Sequence, residues 1–62
     1  MKMWIARDLN GGLFLFPEKP RLIRYHHYWW GENWYKINQD LFPEVTFENS
    51  PQEVEIKLTG AI

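Results

Sequence analysis

Cysteine is absent from this chain of 62 residues, and glycine and proline contribute only four residues each. Without thiols the chain can form neither disulfides nor thiolate metal sites, which are common supports of very small domains. A chain of this length makes one domain, residues 1–62, and folding buries only about 60% of the surface of the unfolded chain. Another feature must supply the stability that so small a core lacks.

Long apolar runs are also absent. No segment is apolar over enough residues to span a membrane, and residues 1–12 have neither the apolar run nor the small-residue cleavage site of a secretory signal. The expected location is therefore cytoplasmic, and no membrane partner is expected.

The chain has no excess of positive charge. Its net charge is −1, whereas domains that recognise phosphate backbones are usually basic. Residues 1–36 carry six Lys and Arg against three Asp and Glu, and residues 37–62 carry one lysine against five acids. This division fits either ordinary solvated strand faces or one basic and one acidic face.

Motifs of catalysis and cofactor binding are missing as well. The sequence has no Gly-rich phosphate loop, nucleophile elbow or HExxH motif, so we expect no enzymatic activity and no cofactor. His26 and His27 are adjacent, and neighbouring side chains of a strand point to opposite faces. The pair therefore does not predict a metal site.

Aromatic residues are abundant, with four Trp, three Tyr and four Phe. Fully burying a large apolar side chain contributes roughly 1.5–3 kcal/mol, so several of these rings must belong to the core. Six of them lie within the twelve residues RYHHYWWGENWY, residues 24–35. The question is whether this segment is core or binding surface.

The segment MWIARDLNGGLFLF predicts a β-hairpin, because two apolar runs flank Asn10-Gly11-Gly12. A two-residue turn at Asn10 and Gly11 would place Arg7 opposite Phe14. One face would then carry Trp4, Ala6, Leu13 and Leu15, and the other Ile5, Arg7, Phe14 and Phe16. Both faces are largely apolar, so we expect each to be covered, as in a small barrel or a dimer.

Later segments predict further short elements. Residues 17–22 are expected to form a loop, residues 23–30 and 34–37 strands, and residues 39–43 a single helical turn or a 3₁₀ turn capped by Asp40, with Phe42 filling the core. VTFE alternates, with Val45 and Phe47 on one face. EVEIKL alternates more clearly, placing Val54, Ile56 and Leu58 inward and Glu53, Glu55 and Lys57 outward.

These elements predict an all-β fold, a small antiparallel meander or barrel of five to six short strands with one helical turn near residues 39–43. A mixed α+β fold with a short helix near Asp40 is the alternative.

The loop GEN, residues 31–33, decides which rings face outward if residues 23–30 and 34–37 form a hairpin. A three-residue loop pairs Trp30 with Trp34 and exposes Arg24, His26, Tyr28, Trp30, Trp34 and Lys36. A two-residue loop pairs Trp30 with Tyr35 and exposes Tyr25, His27, Trp29, Trp34 and Lys36. Both registers place Tyr35 and Ile37 inward and Trp34 outward. The candidate binding residues are Arg24, Tyr28, Trp30, Trp34 and Lys36.

Three functions fit such a face. It could serve a protein-interaction module, which adds a partner's strand to a sheet edge or seats partner side chains on the rings. It could stack the bases of single-stranded nucleic acid while Lys19, Arg21, Arg24 and Lys36 follow the phosphates. It could also be hidden in a purely structural homodimer. The five acids of the last 26 residues disfavour a continuous nucleic-acid groove, so we expect a protein partner or a second copy of the chain.

Both ends of the chain carry a resemblance. The segments WIARDLNGGLFLF, KP and DLFPEVTFENSPQEVEIKL resemble short uncharacterised single-domain proteins of gut anaerobes, their phages and their mobile elements. The resemblance implies an autonomous all-β domain and a small accessory protein. It implies no site residues, because none of these segments is a catalytic or ligand motif.

Overall fold

Six short strands and no helix make up the part of the chain that the computed structural model describes, residues 1–57. The strands are β1 Lys2–Arg7, β2 Leu13–Phe16, β3 Arg21–Ile23, β4 Tyr28–Trp30, β5 Tyr35–Ile37 and β6 Gln52–Glu55. One antiparallel sheet has the order β5-β2-β1-β6, and β3 and β4 form a second antiparallel sheet. The predicted all-β fold is confirmed, and the alternative with a helix near Asp40 is wrong. No described segment forms a helix long and apolar enough to cross a membrane.

The first hairpin forms as predicted, but its register differs by one residue. Arg7 pairs with Leu13 rather than with Phe14. The loop contains three residues, because the Asp8 N–H donates to the Gly12 carbonyl over 2.8 Å and the Gly11 N–H donates to the Asp8 carbonyl over 2.9 Å. Gly11 has a φ of 98°, a left-handed conformation that glycine adopts without strain. This loop adds the residue that shifts the register.

The corrected register changes which side chains share a face of the four-stranded sheet, since a slip of one residue turns every side chain of a strand over. The core face carries Met3, Ile5, Leu13, Leu15, Ile37 and Val54, and the aromatic face carries Trp4, Ala6, Phe14 and Phe16. The face memberships predicted for β2 are therefore wrong. Both faces contain buried side chains, with Ile5 and Phe16 each 1% exposed, so each face is covered.

The core face is closed by the segment between β5 and β6. Ile5, Leu13 and Val45 form the buried cluster, and Leu15, Ile37 and Val54 pack against it. Val45 therefore fills the place that the sequence assigned to Phe42. The Phe42 side chain is 48% exposed, and its backbone has a positive φ of 50°.

Residues 38–41 form a single turn closed by an i to i+3 hydrogen bond, and not an α-helical turn. The Asn38 side-chain oxygen accepts the Asp40 N–H over 2.8 Å, and the Asn38 carbonyl accepts the Leu41 N–H over 3.0 Å. Asn38 is therefore the capping residue, and the prediction for Asp40 is wrong. Asparagine favours such turns because its short amide can bond the backbone two residues ahead.

The segment VTFE does not form the alternating strand that its pattern favours. The Thr46 N–H donates to Asn49 Oδ1 over 2.8 Å, the Asn49 N–H donates to Thr46 Oγ1, and Asn49 Nδ2 donates to the Glu44 carbonyl over 2.9 Å. Short polar side chains that bond nearby backbone groups compete with sheet ladders. In this chain the Thr46 and Asn49 side chains form a compact turn, and Val45 next to it packs into the core.

Arg7 joins this covering segment to the hairpin. Its guanidinium donates to five backbone carbonyls, those of Gly11, Gln39, Leu41, Phe42 and Val45. Its backbone N–H donates to Ser50 Oγ over 2.9 Å. The sequence placed Arg7 simply on a strand face, yet one side chain holds the first turn and the segment 39–45 together.

The predicted hairpin between residues 23–30 and 34–37 does not form, so both of its predicted registers are wrong. Residues 24–27 are a tight turn in which the Ile23 carbonyl accepts the N–H groups of His26 and His27. β4 turns back onto β3, pairing Trp30 with Arg21. β3 begins at Arg21, inside the segment predicted as a loop, because the prolines that cannot donate to a ladder lie ahead of it.

β5 pairs with β2 instead, with Ile37 opposite Leu13. Ile37 packs against the core as predicted. The prediction that Tyr35 lies inward is wrong, because its side chain is 59% exposed at the edge of the sheet. β5 is short and has no strand on its outer side within the described residues.

β6 is the other edge of the four-stranded sheet and follows its alternation. Val54 is half-buried and packs against the core, while Glu53 and Glu55 are exposed. Ile56, predicted inward, is 42% exposed, because the strand ends at Glu55. The prediction for Leu58 lies outside the described residues.

Candidate interaction surface

The second sheet approaches the aromatic face of the first, and the backbone at Gly31 lies close against the Phe16 ring. A Cβ atom at Gly31 would lie 2.9 Å from Cδ1 of the Phe16 ring, closer than two carbon atoms can pack. Only glycine lets the backbone after β4 come this near. Phe16 is thereby buried between the sheets, next to Phe14, with a ring-centroid distance of 6.4 Å.

Beside this contact the two sheets enclose an open cleft of about 280 Å³, which we call the aromatic cleft. It is lined by Asp8, Phe14, Phe16, Tyr28, Trp29, Trp30 and Trp34. Trp34 stands with its edge to the Phe14 ring, at a centroid distance of 5.5 Å and an interplanar angle of 84°. Six rings and one carboxylate therefore surround one space.

Three of the five predicted binding residues line this cleft: Tyr28, Trp30 and Trp34. Trp30 and Trp34 remain 43% and 54% exposed, so Trp34 lies outward as both registers required. Arg24 is exposed in the turn between β3 and β4 and does not line the cleft. Lys36 is also exposed and pairs across strands with Phe14, outside the lining.

Asp8 is the charged residue of the cleft, and the sequence did not indicate it as a binding residue. The Trp29 N–H donates to its Oδ1 over 2.9 Å and so anchors the start of β4 to the first hairpin. Burial raises the pKa of the Asp8 carboxyl above its ordinary value, and the Trp29 hydrogen bond opposes part of that rise. Nothing in the local sequence indicates this contact, because its partners are 21 residues apart.

The raised pKa predicts a specific dependence of stability on pH. A folded-state pKa above the ordinary 3.8 means that Asp8 adds stability that is complete below pH 3.8 and is lost as the pH rises through the folded pKa. The Asp8→Asn variant keeps an oxygen acceptor for Trp29 and does not titrate. We therefore expect the stability of the wild-type chain relative to Asp8→Asn to fall with increasing pH in that window.

The measurement is urea unfolding of both proteins at several pH values between 3 and 7. Because both proteins share every other carboxylate, the difference between them isolates Asp8. A wild-type chain that gains stability over Asp8→Asn as the pH rises would contradict the burial of an unpaired carboxylate.

The two histidines lie in the turn between β3 and β4, so the strand geometry assumed for them does not apply. His26 lies 5.8 Å from the Tyr28 ring, and His27 meets the Phe47 ring edge to face at 6.2 Å. The His27 carbonyl accepts the Leu9 N–H over 3.1 Å, a second bond between this turn and the first hairpin. Residues 1–57 contain no group of three His, Asp or Glu side chains placed to hold a metal ion.

Of the two remaining tryptophans, Trp4 contacts a lysine, whereas the indole N–H of Trp29 has no acceptor among the described residues. Lys19 Nζ lies over the Trp4 ring, 5.3 Å from its centroid, and neither residue lines the cleft. The indole nitrogen of Trp29 is buried without a hydrogen-bond partner among the described residues. A buried N–H without an acceptor is uncommon in folded domains.

We compared the chain with protein-family models, with curated proteins and with solved structures, and none of the three comparisons finds a match.

Proposed function

We propose that this chain is a non-enzymatic protein-interaction module that seats side chains of a partner in the aromatic cleft. One observation carries the proposal: Trp30 and Trp34 line an open concave space and remain 43% and 54% exposed. Tryptophan and tyrosine are enriched at binding hot spots, where a partner removes them from water. A concave site lined by rings with one polar group is also the usual form of a recognition site.

The position of the charges favours a protein partner over single-stranded nucleic acid. The cleft contains the Asp8 carboxylate, which would repel a phosphate, while Arg24 and Lys36 lie outside its lining. Stacking proteins place cations along the path of the backbone that they bind. The lining of the aromatic cleft includes no such cation.

A peptide-display selection on the folded chain tests the proposal. Peptides from a random library are selected for binding to the wild-type chain and counted again on variants. We expect the selected peptides to lose at least about tenfold in affinity on Trp34→Ala, because truncating a hot-spot residue commonly has an effect of this size or larger. Tyr25→Ala is the matched control, since Tyr25 is 95% exposed and lies outside the cleft.

Folding is checked in the same variant. Trp34 is half-exposed and packs by its edge against Phe14, so Trp34→Ala should lower the free energy of unfolding by only about 1 kcal/mol, close to the value of one aromatic pair. A loss of the size expected for a core aromatic, about 3–5 kcal/mol, would show that the ring belongs to the core. Selected peptides that bind Trp34→Ala as tightly as wild type would contradict the proposed function.

Salt gives an independent check on the class of partner. Peptide binding should change little between low and moderate ionic strength, because the interface is mainly apolar. Tight binding of oligothymidine with a steep loss of affinity on adding salt would favour the nucleic-acid alternative.

A further inference from the structure

Resting on this proposed function, we propose that the aromatic cleft selects an arginine side chain of the partner, with the guanidinium bonded to Asp8 and stacked on the exposed indoles of Trp30 and Trp34. The ligand of the cleft is then a planar cation, which its aromatic composition alone does not specify.

The charge of the cleft comes from one residue. Asp8 supplies the only carboxylate among the lining residues, and within residues 1–57 no lysine or arginine lies at ion-pair distance from it. Its Oδ1 accepts the Trp29 N–H, and the described residues provide no donor to Oδ2. A partly buried carboxylate without a counter-ion is costly, so a cation from outside gains from it.

Aromatic rings line the cleft together with that carboxylate. The faces of tryptophan and tyrosine attract cations, most strongly where water is partly excluded. The chain uses this contact within itself, since Lys19 lies over Trp4 at 5.3 Å. Lys19 does not line the cleft, so the rings near Asp8 remain available to a cation from a partner.

The shape and the hydration of the two cations favour arginine over lysine. A guanidinium is planar, weakly hydrated and able to stack on a ring while its edge donates to a carboxylate, whereas an ammonium is a strongly hydrated point charge. The cleft is open to solvent and bounded by flat rings, so an ammonium would keep much of its hydration there. A guanidinium can contact Asp8 and an indole at the same time.

The test compares capped pentapeptides that differ only in their central residue: arginine, citrulline or lysine. Citrulline has nearly the shape of arginine but no charge. Binding is followed by NMR through the indole N–H signals of the folded chain, up to peptide concentrations on the order of 10 mM, so that dissociation constants in the millimolar range are detected. We expect the arginine peptide to shift the Trp30 and Trp34 signals and to bind about tenfold more tightly than the citrulline peptide.

Variants test whether Asp8 is the group that recognises the positive charge of the arginine peptide. Asp8→Asn keeps the acceptor for Trp29, and its fold is checked by thermal unfolding before it is titrated. In this variant we expect the preference for arginine over citrulline to fall to about twofold or less, while in Tyr25→Ala it stays unchanged.

Equal binding of the arginine and citrulline peptides, equal binding of arginine and lysine, or no shift at Trp30 and Trp34 would overturn the inference. If display-selected peptides still require Trp34 in any of these cases, the interaction module stands and only its arginine specificity falls. If no selected peptide depends on Trp34, the proposed function itself fails.

Discussion

Replacing Arg7 with alanine is expected to lower the free energy of unfolding by about 2–4 kcal/mol. Hydrogen bonds from a charged donor are each worth roughly 1.5–3 kcal/mol when buried, and much less where water can replace them. The contacts of Arg7 with Val45 and Gly11 are partly buried, and those with Gln39, Leu41 and Phe42 are exposed. The expected loss of stability therefore comes mainly from the first two contacts.

Such a loss is large for this chain. Stability of about 0.05–0.15 kcal/mol per residue gives roughly 3–9 kcal/mol for a domain of this size. We therefore expect Arg7→Ala to be partly unfolded at ambient temperature. Circular dichroism during urea unfolding gives the comparison.

Arg7→Lys separates geometry from charge. A lysine ammonium has three donors on one atom and cannot span carbonyls that surround a planar guanidinium, so this variant should recover only a minor part of the lost stability. Arg24→Ala is the control, because Arg24 is exposed in a turn and should change stability by less than about 0.5 kcal/mol. If Arg7→Lys were as stable as wild type, the positive charge alone, and not the several N–H donors of the guanidinium, would hold segment 39–45 in place.

Truncating Phe16 is expected to have the largest effect, about 3–5 kcal/mol, because removing a buried phenylalanine loses its burial and leaves a cavity. Phe16 is 1% exposed and contacts both sheets through Phe14 and the Gly31 backbone. Phe16→Ala should therefore separate the second sheet from the first and expose the indole of Trp29.

Phe42→Ala is the matched control for Phe16→Ala. The same chemical change at a ring that is 48% exposed should lower stability by less than about 1 kcal/mol. Both variants are followed by urea unfolding and by tryptophan fluorescence. Equal losses would contradict the assignment of Phe16 to the core and of Phe42 to the surface.

Local patterns predicted the strands better than their partners. The alternation of EVEIKL and the turn at Asn10-Gly11-Gly12 identify β6 and the first hairpin without tertiary information. The register of that hairpin depended on one residue of loop length, which the run Asn-Gly-Gly does not decide, since each of these residues tolerates positive φ. One residue was enough to place Phe14 and Phe16 on the wrong faces.

The strand pairing predicted for the aromatic segment, residues 24–35, was wrong for a different reason. Its two strands are joined by a short loop, and sequence-adjacent strands commonly pair with each other. In this chain β4 pairs back to β3, the strand just before it in sequence, while β5 pairs with β2, 20 residues or more away along the sequence. Non-local pairing of this kind leaves no mark on the local hydrophobic pattern.

The candidate site was therefore predicted in part. Tyr28, Trp30 and Trp34 come together because they are close in sequence and too large for the small core, whichever strands they join. Asp8 is brought next to these rings only by the tertiary structure. Arg24 and Lys36 were predicted because they would face outward in a hairpin that does not form. The sequence was therefore enough to predict the aromatic side chains of the cleft, but not the sign of the charge within it.

The most direct test of the account is an NMR titration of the ¹⁵N-labelled chain with a peptide selected for binding, observing the four indole N–H signals. We expect the Trp30 and Trp34 signals to shift with the same dissociation constant while Trp4, which lies outside the cleft beneath Lys19, stays in place. Shifts confined to Trp4, or shifts that depend on protein concentration without any peptide, would contradict a binding site in the aromatic cleft.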